Sequence, residues 1–164
     1  MRIDIHTHIM PAHMPNWVQK FGYGDFIHLE HRNCQACMMK GDKLFRVVED
    51  NCFKEDVRIK EMDETGVTMQ VLSTIPVLFN YWAKAKDGLE TSRFFNDHIA
   101  ETVVKEPSRF IGIGTVPLQD IDMAVAEMER CVNELKMPGL QIGSNVNGEN
   151  LSEKKFFPFY KRAE

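Results

Sequence analysis

Short apolar, β-branched runs alternate four times with helix-length amphipathic segments, and this alternation restricts the folds open to the chain more than any other feature. Residues 2–7 alternate Ile3 and Ile5 with Asp4 and His6 as a first strand, and 67–73 (VTMQVLS), 110–115 (FIGIGT) and 140–142 supply three more. Residues 54–65 read as a helix stopped at Gly66. A second helix carries Phe95, Ile99 and Val103 at spacings of four and ends at Pro107. A third opens at Asp120 and places Ile121, Ala124, Val125, Met128, Val132 and Leu135 on one face until Pro138 and Gly139, and 152–164 begins a fourth. Strand, crossover helix and next strand in this order give parallel pairing, hence an α/β protein: a doubly wound sheet or a (β/α)8 barrel.

At 164 residues the chain fits one domain, 1–164, whereas a complete barrel needs roughly 250 residues and eight units. Four units, the last running into a helical segment at 161–164, lead to the expectation of a TIM barrel truncated to about its first four βα units. The competing architecture is a flavodoxin-like sheet, complete at this length. Such sheets usually place a phosphate-binding glycine turn after the first strand. Here that strand runs into His-Thr-His-Ile-Met-Pro, and Gly112-Ile-Gly114 lacks a third glycine. Residues 10–51 break the alternation with Pro11, Pro15, Gly22, Gly24, Gly41 and one strand-like run at 44–48. A segment of that length is too long for a plain connection, so a small β insertion after strand 1 is expected. Residues 74–87, with Phe79, Tyr81 and Trp82, read as an aromatic loop that either walls a site or packs over the barrel top.

With 20 Lys+Arg against 24 Asp+Glu and no basic run, the chain has no electrostatic drive towards nucleic acid or anionic lipid. No segment approaches the ~20 apolar residues of a membrane helix, and the N-terminus lacks a signal-peptide apolar run. Four Cys are no dense disulfide framework. These features lead to the expectation of a cytosolic protein with reduced thiols and neither nucleic-acid nor membrane partners. No G-x-S-x-G elbow, H-E-x-x-H or kinase signature is present.

His6 and His8 are the strongest chemical signal. Side chains two apart on a strand share a face with Cα atoms about 6.5–7 Å apart, so two imidazoles can converge on one ion, with Asp4 on the same face. They stand at the C-terminal end of a first strand, where barrel enzymes build their sites. Catalytic zinc typically takes three protein ligands. His13, His28 and His31 lie in the insertion, and His98 borders a buried helical stripe, where packing through a hydrogen bond suits it better. Cys34-x-x-Cys37, close to His31 and with Cys52 further on, allows a structural zinc, but no second pair follows at finger spacing. Cys131 reads as packing. Arg46, within an apolar strand run, is either an edge arginine facing water or a bidentate clamp for a carboxylate, and Lys40 and Lys43 add positive potential nearby.

The blocks MRIDIHTHIMP (1–11), FGYG (21–24), KLFRVV (43–48), VLSTIPV (71–77), YWAK (81–84) and MERCV (128–132) through QIG (141–143) together resemble the 2-amino-3-carboxymuconate-6-semialdehyde decarboxylase family of the amidohydrolase superfamily. The similarity covers essentially the whole chain. The resemblance implies an amidohydrolase-type barrel and a zinc-dependent, oxygen-independent decarboxylase. Its reaction would convert that semialdehyde to 2-aminomuconate-6-semialdehyde in the kynurenine pathway of tryptophan catabolism, limiting quinolinate formation. It further implies that His6 and His8 bind Zn2+, that Arg46 contacts a substrate carboxylate with Lys40 and Phe45 beside it, and that the full-length protein is a homodimer. The family's remaining ligands, on the fifth and eighth strands, and its assisting histidine, on the sixth, fall outside these residues. The chain alone is therefore expected to be inactive. Two alternatives are a non-catalytic truncated form pairing with full-length subunits, and another decarboxylase or hydrolase of the same superfamily.

Overall fold

In the computed structural model, which describes residues 1–32 and 35–164, strand β1 (Ile3–His8) is followed by an insertion. The insertion comprises helix α1 (Trp17–Phe21) and strands β2 (Ile27–Arg32), β3 (Gln35–Lys40) and β4 (Lys43–Val48). Then come α2 (Glu55–Thr65), β5 (Met69–Ser73), α3 (Ala85–Lys105), β6 (Phe110–Gly112), α4 (Ile121–Asn133), a hairpin of β7 (Asn145–Val146) and β8 (Glu149–Asn150), and α5 (Phe157–Ala163).

Strands β1, β5 and β6 pair in parallel in that spatial order. The strand expected at 140–142 is reduced to a single parallel bridge between Gly114 and Leu140. There the Gly114 N–H donates to the Gly139 carbonyl (3.0 Å) and the Gln141 N–H to the Gly114 carbonyl (2.8 Å). Each strand thus adds beside the one before it, as in a barrel wall, without the reversal that defines a doubly wound sheet. The insertion is an antiparallel meander, β2-β3-β4. It is fastened to the barrel wall by a shared core in which Met10, Ile27, Met38, Val48, Leu78 and Phe95 are buried together.

Local chemistry explains the helix ends. Gly66 takes φ +71° after α2, and its N–H reaches the carbonyls of Met62 and Asp63. The Asp120 carboxylate accepts from the Met123 N–H at the start of α4 (3.0 Å). On α4 the buried stripe runs through Ala124, Met128 and Cys131. Val132, expected on that face, is 48% exposed, because the 3.6-residue period gives the next buried position to Cys131. Phe79 and Tyr81 enter the core, and the Tyr81 hydroxyl accepts from the Gly143 N–H (3.1 Å). Trp82 lies against Phe26 with ring centroids 4.6 Å apart. The aromatic loop therefore serves packing.

Helices α3 and α4 meet through a fully buried carboxylate. Glu127 accepts from Arg93 Nε (3.0 Å), Asn96 Nδ2 (2.8 Å) and Arg130 Nη2 (2.8 Å). Asn96 continues the network to the Thr115 backbone, donating to its carbonyl (2.9 Å) and accepting from its N–H (2.8 Å). The helical layer also lies close upon β6: a Cβ at Gly112 would stand 2.6 Å from Ile99 Cγ2 and 3.3 Å from Val103 Cγ2. Gly112→Ala should lower stability by about 1–3 kcal/mol through overpacking, read as a lowered urea midpoint. An unchanged midpoint would show that α3 yields freely at this contact.

Candidate metal and carboxylate site

The C-terminal end of β1 presents the histidine pair. The rings of His6 and His8 stand 5.0 Å apart between centroids, edge to face at 79°. Thr7, between them, points the other way, is buried, and donates its hydroxyl to the Val71 carbonyl (2.8 Å). His6 is exposed and His8 half-buried. The Nδ1 atom of His8 lies 3.0 Å from Ser73 Oγ, and that hydroxyl donates to the Thr7 carbonyl at 2.9 Å. From below, the buried Arg58 of α2 donates through Nη2 to the carbonyls of His8 (2.6 Å) and Asn51 (2.7 Å), and through Nη1 to Gln70 Oε1 (3.0 Å). One guanidinium therefore ties the end of β1 to the segment leaving β4.

Burial lowers the pKa of His8 from the ordinary histidine value, and the charge of His6 adds to this. Backbone hydrogen bonds of Thr74 and Ser73 oppose the shift, while Arg58 reinforces it. The shift favours the neutral form, which is the form that can ligate a metal. Two adjacent imidazoles fit a divalent ion as part of a nitrogen donor set. Among the described residues no group of three or more His, Cys, Asp or Glu could hold a metal, so the pair has no third such donor beside it there.

His8 opens on a cavity of about 400 Å³ that is also lined by Met38, Phe45, Arg46, Cys52 and Ile75. Two of the residues singled out in the sequence, Arg46 and Phe45, thus face the same space as His8. A bulge in β4 contributes to this. Met38 pairs with Arg46 but Met39 pairs with Leu44, leaving Phe45 as an extra residue and re-aiming the strand. Arg46 is exposed and forms no ion pair among the described residues. A free guanidinium beside apolar side chains is a natural carboxylate receptor.

Other expectations separate from this site. Lys40 lines a neighbouring cavity of about 610 Å³ with Asp25 and Lys43, sharing only Phe45 with the first, and its Nζ stands 3.9 Å from Asp25. The Asp4 carboxylate accepts from the His6 backbone N–H (3.3 Å) and forms no metal-binding group with the two rings. One extra residue in β1 between Asp4 and Thr7 shifts the register, and Asp4 lines a groove with Arg58, Glu61 and Gln70. Within the insertion, His28 pairs with Glu30 (3.1 Å) and His31 donates through Nε2 to the Ala12 carbonyl (2.9 Å), beside His13. Cys34, half of the C-x-x-C, lies outside the described residues, and Cys37, Cys52 and Cys131 are free thiols. Burial first, then the Glu127 charge, pushes the Cys131 thiol up to about 12, so it is chemically inert. Ser73, Arg58 and Asn51 had not been singled out. Ser73 ends the second barrel strand, where barrel sites form, and Arg58 lies one turn from buried Met62, the two signals that point to them.

His98 is half-buried, hydrogen-bonded to the Met10 backbone, with Nε2 buried and without a partner. Burial lowers its pKa below the ordinary 6.5, against the raising influence of Glu55 and Glu101. The unfolded chain therefore binds a proton at a pH where the folded chain does not. This contribution to stability is complete above pH 6.5 and is lost as the pH falls towards the lowered value. His98→Gln should flatten the acid limb of the stability profile below pH 6.5, and an unchanged slope would rule His98 out as its source.

The amidohydrolase family profile matches residues 3–164. The chain is 47% identical over its whole length to the 2-amino-3-carboxymuconate-6-semialdehyde decarboxylase of Dictyostelium discoideum, of which it covers 46%. It is 37% identical over 99% of its length to the protein of that name from Caenorhabditis elegans, again covering 46%. The chain thus spans about half the length of these relatives. Among solved structures, a dihydroxybenzoic acid decarboxylase from Polaromonas with bound manganese and 2-nitroresorcinol superposes with a TM-score of 0.68 at 25% identity, over 99% of this chain and 46% of that one. A 5-carboxyvanillate decarboxylase from Sphingomonas paucimobilis gives 0.64 at 33% identity, over 68% and 33%. With its sequentially ordered parallel strands and the histidine pair at the mouth of β1, the chain belongs to the amidohydrolase family and carries the first βα units of that family's (β/α)8 barrel.

Proposed function

We propose that the chain is the N-terminal half of a metal-dependent decarboxylase acting on 2-amino-3-carboxymuconate-6-semialdehyde. The product would be 2-aminomuconate-6-semialdehyde in the cytosolic kynurenine pathway, where the reaction limits quinolinate formation. The observation that carries this reading is the convergence of His8 and Arg46, which has no ion pair among the described residues, on one cavity, in a chain 47% identical to a protein of that name. His6 and His8 would hold Zn2+, an ion suited to imidazole ligands, together with donors from outside these 164 residues. When bound, the ion would supply Lewis-acid stabilisation of oxygen charge developing on the conjugated substrate.

The chain's own residues account for the remainder. Arg46 takes one substrate carboxylate in a bidentate grip and fixes the substrate's orientation. Phe45, Met38 and Ile75 exclude water along the cavity wall. Loss of carbon dioxide breaks one carbon–carbon bond, and a proton replaces the carboxylate on that carbon. Lys40 acts at a distance, adding positive potential at the mouth of the neighbouring cavity. The full-length protein functions as a homodimer, and the 164 residues by themselves, with an incomplete donor set, do not turn over substrate.

The test is spectrophotometric loss of the semialdehyde, with carbon dioxide release, by the natural polypeptide and by the 164-residue chain, with gamma-resorcylate as a parallel substrate. The reading expects turnover of the semialdehyde by the natural polypeptide alone. Preference for the aromatic acid would assign it instead to the resorcylate decarboxylases, to one of which this chain is 37% identical over 65% of its length.

A further inference from the structure

Ser73 occupies the position in β5 that pairs with His8 across the parallel ladder, and it is 3% exposed. Its hydroxyl carries one proton. The Thr7 carbonyl, 2.9 Å away, can only accept, so that proton points to Thr7. Towards His8 Nδ1, at 3.0 Å, the Ser73 oxygen is left to accept, and the imidazole must donate. A neutral imidazole has a single N–H. If Nδ1 carries it, Nε2 keeps its lone pair.

We propose that Ser73 is a positioning residue that, with its hydroxyl oriented by the Thr7 carbonyl, fixes His8 as the Nδ1–H tautomer and so makes Nε2 the ligand atom. The inference rests on the metal-site reading above. It deepens that reading by assigning the group that selects the ligand nitrogen. The arrangement is economical in sequence terms: Thr7 and His8 are neighbours on β1, and the Ser73 hydroxyl reaches both, beside the backbone hydrogen bonds that Ser73 and Thr74 make to His8. Metal-binding histidines generally donate their second ring N–H to an outer-shell acceptor, and here that acceptor is a hydroxyl oriented by a backbone carbonyl.

The experiment uses the natural polypeptide with 15N-labelled histidine, stripped of metal, and its Ser73→Ala and Ser73→Thr variants. Long-range proton–nitrogen spectra report which ring nitrogen of His8 is protonated, and titration with Co2+, followed by its visible absorption, reports affinity. The expected result is an Nδ1–H ring in the wild type and mixed tautomers in Ser73→Ala, with Co2+ affinity lowered about 10- to 100-fold. Ser73→Thr, which keeps the hydroxyl, should restore both. A wild-type ring protonated at Nε2 overturns the proposal, as does a Ser73→Ala protein with unchanged tautomer and affinity. If Ser73→Ala does not fold, the wild-type spectrum and Ser73→Thr still decide. Absence of Co2+ binding to the wild type would overturn the metal-site reading, while the tautomer measurement would separately decide the role of Ser73.

Discussion

Glu127→Ala should destabilise the fold by about 3–5 kcal/mol, the cost of breaking a buried ion pair by removing one partner. Glu127 is fully buried and receives two arginines and an amide. Without it, Arg130, 17% exposed in its side chain, loses the hydrogen bonds that most raise its pKa and keeps only Asp97. Asn96, which also holds the Thr115 backbone on the strand side, loses the group that anchors it from α4. The damage therefore reaches the helix–helix contact and the sheet together. Glu127→Gln keeps the shape and loses the charge, so it should fall between wild type and alanine. Urea unfolding followed by circular dichroism measures both. A Glu127→Ala protein within 1 kcal/mol of wild type would mean that the network is ornamental to stability.

Arg46→Ala should leave stability within about 0.5 kcal/mol of wild type, since the residue is exposed and forms no ion pair among the described residues. In the natural polypeptide it should nonetheless lower kcat/KM for the semialdehyde about 100-fold. Losing charge-assisted hydrogen bonds to a carboxylate removes about 1.5–3 kcal/mol, and each 1.36 kcal/mol is tenfold in rate. Arg46→Lys restores charge without the planar fork and should recover only part of the loss. Steady-state kinetics of the folded variants decide the matter. Equal kcat/KM in wild type and Arg46→Ala would remove Arg46 from substrate binding and return it to the role of an edge arginine facing water.

Periodicity made the barrel wall legible. The alternation of Ile3 and Ile5 with polar neighbours, the four-residue spacing of Phe95 and Ile99, and the Asp120 and Gly66 helix boundaries all reflect local rules that act within one or two turns of chain. The hairpin at 145–150 was not foreseen, although Asn147-Gly148, with φ +52° and +85°, is the turn dipeptide such a hairpin favours. Its strands are two residues long, too short to show alternation.

The meander was harder to read. The apolar run of β3, Ala36-Cys37-Met38-Met39, has no β-branched residue to mark it as a strand, and β2 mixes His28, Glu30 and His31 with Ile27 and Leu29. Two single-residue bulges decided which candidates meet at the site. That in β1 lies between Asp4, which lines the groove with Arg58, and the histidine pair, and that in β4 helped set Phe45 and Arg46 beside His8. A bulge is a property of strand pairing, and no local pattern announces it. Ser73 and Arg58 reach His8 across 65 and 50 residues of sequence. Their importance lies in the fold, not in their neighbours along the chain.

Metal analysis of the natural polypeptide against its His6→Ala/His8→Ala variant tests the central claim most directly. The account predicts about one divalent ion per chain in the wild type, loss of turnover on chelation with recovery on adding Zn2+, and a variant that folds but neither retains metal nor decarboxylates. A chelated protein that keeps full activity, or a double variant that binds metal and turns over like wild type, would contradict it.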